Sequence, residues 1–83
     1  MKVILHNHAI QRLPERGATE DEVIETVLKG EQFPAKFNRT GFRLNFTFNS
    51  IWRGKDFQNK QIEAYAVYEN DTWIVITIIV KYY

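Results

Sequence analysis

The 83-residue chain has no cysteine, only two prolines and four glycines, and a formal net charge of just +1. Without cysteine it can build no disulfide scaffold, thiolate zinc site, iron–sulfur cluster or thiol nucleophile. With so little proline and glycine it has no linker at which to divide, so residues 1–83 read as a single domain of two packed layers. The longest largely apolar run, Trp73 to Val80, falls far below the roughly 20 residues of a membrane-spanning helix. The opening Met1-Lys2-Val3-Ile4-Leu5-His6 leaves no room for the apolar stretch of a signal peptide, and a cytoplasmic protein with no membrane partner is expected. There is no Gly-rich phosphate loop, nucleophile elbow or paired-carboxylate arrangement, which sets ATP chemistry and hydride transfer aside.

What is present is a globular composition, 45% hydrophobic and 14% aromatic, with an uneven charge distribution. Met1 to Glu31 is net acidic, whereas Gln32 to Tyr83 is net basic. Between Lys36 and Lys60 stand six basic residues, Lys36, Arg39, Arg43, Arg53, Lys55 and Lys60, against Asp56 alone. That density suits a polyanionic partner, and it equally suits strands that carry solvated Lys and Arg.

Lys2 to Leu5 is β-prone, and Asn7 is a fair N-cap for a helix from His8 toward Arg16 with Ala9, Ile10 and Leu13 on its apolar side. Pro14 removes a backbone donor and is expected to kink or end that helix early, before a turn at Gly17. Thr19-x-x-Glu22 is a capping box opening a helix over Glu20 to Lys29, with Val23, Ile24, Val27 and Leu28 as its apolar stripe. After Gly30 the period becomes alternating. Phe33 to Arg39 reads as an edge strand interrupted by Pro34. In the next strand Phe42, Leu44, Phe46 and Phe48 face inward, and Arg43, Asn45, Thr47 and Asn49 face outward. Ile51 to Asn59 reads as a polar loop carrying Trp52, and Gln61 to Glu69 and Thr72 to Tyr82 read as strands joined by an Asn70-Asp71 turn, the last of them central. The expected fold is therefore α+β, with two N-terminal helices packed on one face of a three- to four-stranded antiparallel sheet. The other face stays open around Arg43, Asn45, Thr47 and Lys81.

His8, Arg12 and Arg16 recur at i, i+4 and i+8, which stacks cation-capable groups along one helix side unless Arg12 and Arg16 pair with neighbouring acids. His6-x-His8 has no third ligand at metal spacing, so no metal or other cofactor is expected. His, Arg, Lys, Glu and Tyr alone can cleave RNA through its own 2′-hydroxyl. That reaction needs a base, an acid and fixed cations beside the phosphorane. His8 can serve as acid or base, Arg12, Arg43 and Lys60 can hold the phosphate, Glu69, Tyr65 or Tyr82 can move a second proton, and Trp52 can stack on a base.

The run His8-Ala9-x-x-Arg12-x-x-x-Arg16-Gly17-Ala18-Thr19-x-x-Glu22-Val23 resembles the opening of the bacterial family named domain of unknown function 4258. Phe46-x-Phe48-Asn49, Trp52-Arg53-Gly54-Lys55, Lys60-Gln61 and Trp73 through Tyr82 resemble a subgroup common in cyanobacteria. That family is similar in layout to the RelE/ParE toxins. The resemblance implies a RelE/ParE-like domain, the toxin of a type II toxin–antitoxin pair, acting as a metal-independent endoribonuclease. A non-catalytic nucleic-acid- or protein-binding module of the same fold is the alternative. His8, Arg12, Lys60 and Glu69 are the expected catalytic residues, and Arg16, Arg43, Trp52, Lys81 and Tyr82 the expected RNA contacts. The expected partners are RNA and a small acidic antitoxin, with ribosome dependence and homodimerisation left open.

Overall fold

The computed structural model describes all 83 residues. Lys2–Leu5 forms β1, Asn7–Arg16 α1, Glu20–Lys29 α2, Glu31–Pro34 β2, Thr40–Trp52 β3, Lys55–Glu69 β4 and Thr72–Tyr82 β5. The five strands make one mixed sheet in the order β1-β5-β4-β3-β2. The expectation of three to four antiparallel strands is corrected by this sheet: four strands are antiparallel, and β1 adds a fifth running parallel to β5. Val3 and Leu5 explain the addition. They pair with Trp73 and Val75 and extend the apolar face that the helices cover.

Lys60, Ile62 and Ala64 of β4 stand opposite Phe46, Leu44 and Phe42 of β3 and opposite Tyr82, Val80 and Ile78 of β5. This row is the helix-covered face, and Ile62, Ala64, Val75 and Ile78 on it are wholly buried. Ala9 and Leu13 of α1 and Val23, Thr26 and Val27 of α2 close over it. Each large aliphatic side chain so buried contributes about 1.5–3 kcal/mol. The expected stripes shift slightly. Ile10 and Leu28 are exposed, and the helix-facing position beside Val23 and Val27 is taken by Thr26, whose hydroxyl donates to the Glu22 carbonyl at 2.8 Å.

Three local expectations are corrected. The N-cap of α1 is His6, one residue before Asn7, and Pro14 lies inside the helix without ending it. Pro14 cannot donate to the Ile10 carbonyl, but it sits on the exposed side, and the helix stops only at Gly17, whose φ of 72° reverses the chain. The Ile51–Asn59 stretch is no loop: β3 and β4 stay paired to Trp52↔Lys55, and Arg53-Gly54, at φ 51° and 82°, makes a two-residue hairpin turn. Polar residues there line a solvated ribbon. The edge strand ends at Pro34, and Ala35 to Arg39 form a turn instead of continuing it. Asn70-Asp71, with φ 51° and 58°, joins β4 to β5 as its residue types require, and β5 lies inside the sheet.

Candidate functional site

The expected site residues fall into four places. The first is the N-terminal turn of α1. The His6 backbone N–H donates to the Val75 carbonyl at 2.9 Å, which fixes the helix start on β5. Its ring Nδ1 then accepts the backbone N–H of His8 at 3.2 Å, which places the neutral ring's proton on Nε2. The two imidazoles stack, 5.1 Å apart and 6° from parallel, and both are exposed. Arg12, one turn on from His8, makes only a 3.6 Å contact with Glu15, with both side chains more than half exposed. Such a pair is worth a few tenths of a kcal/mol and leaves the guanidinium free to turn to an anion. Arg16, a further turn on, is half-buried, and its Nε is buried without an acceptor.

The second place is the C-terminal end of α1, where the last carbonyls of the helix carry its negative partial charge. Three side chains from the sheet donate to them: Arg53 Nη2 to Glu15 O at 2.8 Å, Tyr82 Oη to Arg16 O at 2.7 Å, and Lys60 Nζ to Gly17 O at 3.0 Å. Lys60 Nζ also lies 2.9 Å from Glu22 Oε1, the same oxygen that accepts the Thr19 N–H in the capping box of α2. The lysine side chain is only 7% exposed. Trp52 stacks on the Tyr82 ring at 5.1 Å and 17°, and Phe48 meets Tyr82 edge-on. Gly17 permits this closure, since a Cβ there would strike the Tyr82 hydroxyl and the Trp52 ring. Burial first, and then the Glu22 carboxylate, push the Tyr82 phenol above its ordinary pKa, with Arg53 opposing. Lys60, Trp52 and Tyr82 thus bind the two helices to the sheet, and RNA would reach the Lys60 ammonium only by displacing Glu22.

The third place is the sheet face away from the helices. Here Arg43 stands opposite Glu63, and Asn45 and Lys81 flank Gln61. Glu63 is 6% exposed although no helix covers it. Lys81 Nζ approaches its Oε2 at 3.3 Å, and the Tyr65 hydroxyl donates to its Oε1 at 2.9 Å. Burial and then that carboxylate raise the Tyr65 pKa, so the phenol keeps its proton and its donor role. Arg43 lies with its Nε 2.9 Å from Glu31 Oε1, a charge contact without an aligned N–H bond, and its guanidinium sits 4.3 Å from the centre of the Phe33 ring. Arg43 and Lys81 therefore share a face, each already beside a carboxylate.

Glu69 is the fourth place. It closes β4 beside the Asn70-Asp71 turn, opposite Thr72. It lies nine residue steps along the extended strand from Lys60, about 30 Å, so those two groups do not meet at one phosphate. Sequence reasoning paired His6 with His8 only as would-be metal ligands, without its role as the cap of α1, and missed Glu63 as the hub of the open face. The signals were the His-x-His spacing at a helix start and a lone acid amid the apolar run Ile62 to Val67. The chain assembles no cluster of three or more His, Cys, Asp or Glu groups able to hold a metal ion, and no helix is long and apolar enough to cross a membrane.

No curated protein and no solved structure matches the chain. A family model described as domain of unknown function, DUF4258, matches residues 5–80, from the end of β1 into β5. The match takes in both helices and nearly the whole sheet, and the chain belongs to that family.

Proposed function

We propose that the chain is the toxin half of a type II toxin–antitoxin pair, with a RelE/ParE-like layout, and that it cleaves RNA without a metal through attack of the 2′-hydroxyl. The observation that supports this most is the exposed imidazole pair at the start of α1 with Arg12 one turn beyond it. His8 takes the proton of the 2′-hydroxyl as its oxygen bonds to phosphorus. Water protonates the 5′-oxygen as the P–O5′ bond breaks and regains its proton from His8, the His6 Nε2–H donates a hydrogen bond to a phosphate oxygen, and Arg12 balances the charge growing on the phosphorane. The products are a 2′,3′-cyclic phosphate and a 5′-hydroxyl. The chemistry uses side chains that the fold leaves exposed, whereas Lys60 is bound internally and Glu69 lies at the far end of the sheet.

The placement of Lys60 and Glu69 also favours a second reading, a non-catalytic RNA-binding module. Incubation of purified protein with single-stranded RNA in EDTA separates the two. Shortened RNA supports the endoribonuclease, and retarded but intact RNA supports the binding module. A small acidic protein encoded beside this chain should relieve the toxicity of its overexpression and copurify with it. Harmless overexpression without such a partner argues against the toxin.

A further inference from the structure

The turn that follows β2 borders, with Tyr65 and Thr77 of the sheet, a solvent-open cavity of about 400 Å³, inside the roughly 300–1,000 Å³ range of small-molecule sites. Its lining includes three aromatic residues, Phe33, Phe37 and Tyr65, together with Thr77 of the sheet and the cations Lys36 and Arg39. No acidic residue lines it, and neither cation takes part in any of the chain's five ion pairs. Every other basic cluster on this face is already neutralised by Glu31 or Glu63.

The cavity is built by the backbone. Ala35 N–H donates to Arg39 O and Arg39 N–H to Lys36 O, both at 3.2 Å, which pins the turn shut. Phe37 and Asn38 both hold positive φ, 62° and 58°, a conformation that costs a non-glycine residue energy and leaves the Phe37 ring 81% exposed. Gly41 stands at the start of β3, opposite Phe33. A Cβ there would collide with the Phe33 ring, which lies against the bare backbone and meets Tyr65 edge-on at 5.9 Å and 87°. A strained turn that holds an aromatic ring in water beside two cations without carboxylate partners, Arg39 lying over that ring at 6.0 Å from its centre, fits a ligand with a flat apolar part and an anionic part.

We infer that this cavity binds one nucleotide unit, its base against Phe37 and its phosphate at Lys36 and Arg39. The source of that unit, RNA strand or free nucleotide, rests on the RNA-directed reading above, but binding here requires no cleavage by His8. The test is a ¹H–¹⁵N NMR titration of the full chain with AMP, adenosine and a short single-stranded oligoadenylate. AMP should shift resonances confined to Phe33 through Arg39, Tyr65 and Thr77. Phe37→Ala, at an exposed position whose replacement keeps the circular dichroism spectrum, should weaken AMP at least about fivefold. Joint replacement of Lys36 and Arg39 by Ala should weaken AMP more than adenosine. Tighter binding of the oligomer at the same residues identifies an RNA strand as the source, and binding of AMP alone identifies a free nucleotide. Shifts elsewhere, no shift with either phosphate ligand, or unchanged affinity in Phe37→Ala overturns the assignment. RNA cleavage that continues beside such a result leaves the toxin reading standing, while nucleotide binding without cleavage removes the enzyme and keeps the cavity.

Discussion

Lys60 shows how one side chain can carry charge without presenting it. Its ammonium is shared between the Gly17 carbonyl and the Glu22 carboxylate, and the carboxylate in turn holds the start of α2. Lys60→Met should therefore leave Glu22 half-buried without its cation and destabilise the fold by about 3–5 kcal/mol, read from urea unfolding. A variant that loses RNA cleavage at full stability would instead place Lys60 at the reaction. Tyr82 makes a related prediction with pH. Its pKa is raised in the folded chain by burial and by Glu22, so folding favours the protonated phenol. That contribution is complete below the ordinary tyrosine value near 10 and is lost as pH rises through the higher folded value. Urea midpoints should fall between about pH 10 and the folded pKa, and Tyr82→Phe should flatten part of that fall, Tyr65 supplying another part with the same sign. The identities of Lys60 and Tyr82 were readable in the sequence as basic and aromatic. Their engagement was not, because it depends on the α1 end meeting strands more than 40 positions later.

At the scale of elements, the best-read piece was α2, where the capping box, the acidic first turn and the apolar spacing all agree. Thr19→Ala should cost about 1 kcal/mol in thermal or urea unfolding, since it orphans the Glu22 N–H at 3.1 Å. α1 was read less well. Pro14 argued for an early stop, but the three donors that Arg53, Lys60 and Tyr82 aim at the final carbonyls hold the last turn from outside. The β3–β4 ribbon was missed where its composition turned polar, because Arg53-Gly54 is a hairpin signal only once both flanking segments are known to pair. Phe42 is the member of its alternating row that is most deeply buried, and its ring meets Trp73 edge-on at 4.9 Å. Phe42→Ala should lower stability by about 3–5 kcal/mol, and Phe46→Ala, at a partly exposed site, by less.

Across the whole molecule, alternation and helical spacing were enough to read two helices laid on one face of a sheet, with β5 inside it. They could not show that β1 returns to pair in parallel with β5, since a four-residue strand carries no mark of its partner. The candidate site divides in the same way. His8, Arg12 and Arg16 follow one helix and were visible from their spacing, whereas Lys60, Glu69, Arg43 and Lys81 depend on where the sheet carries them, and it carries them apart. The proposed RNA chemistry thus rests on the exposed start of α1. The most direct measurement is the end group left on single-stranded RNA by the purified chain in EDTA. A 2′,3′-cyclic phosphate produced by the wild type, and reduced about 100-fold or more in His8→Ala at unchanged melting temperature, is the expected result. RNA left intact by the wild type, or cleaved equally well by His8→Ala, would contradict it.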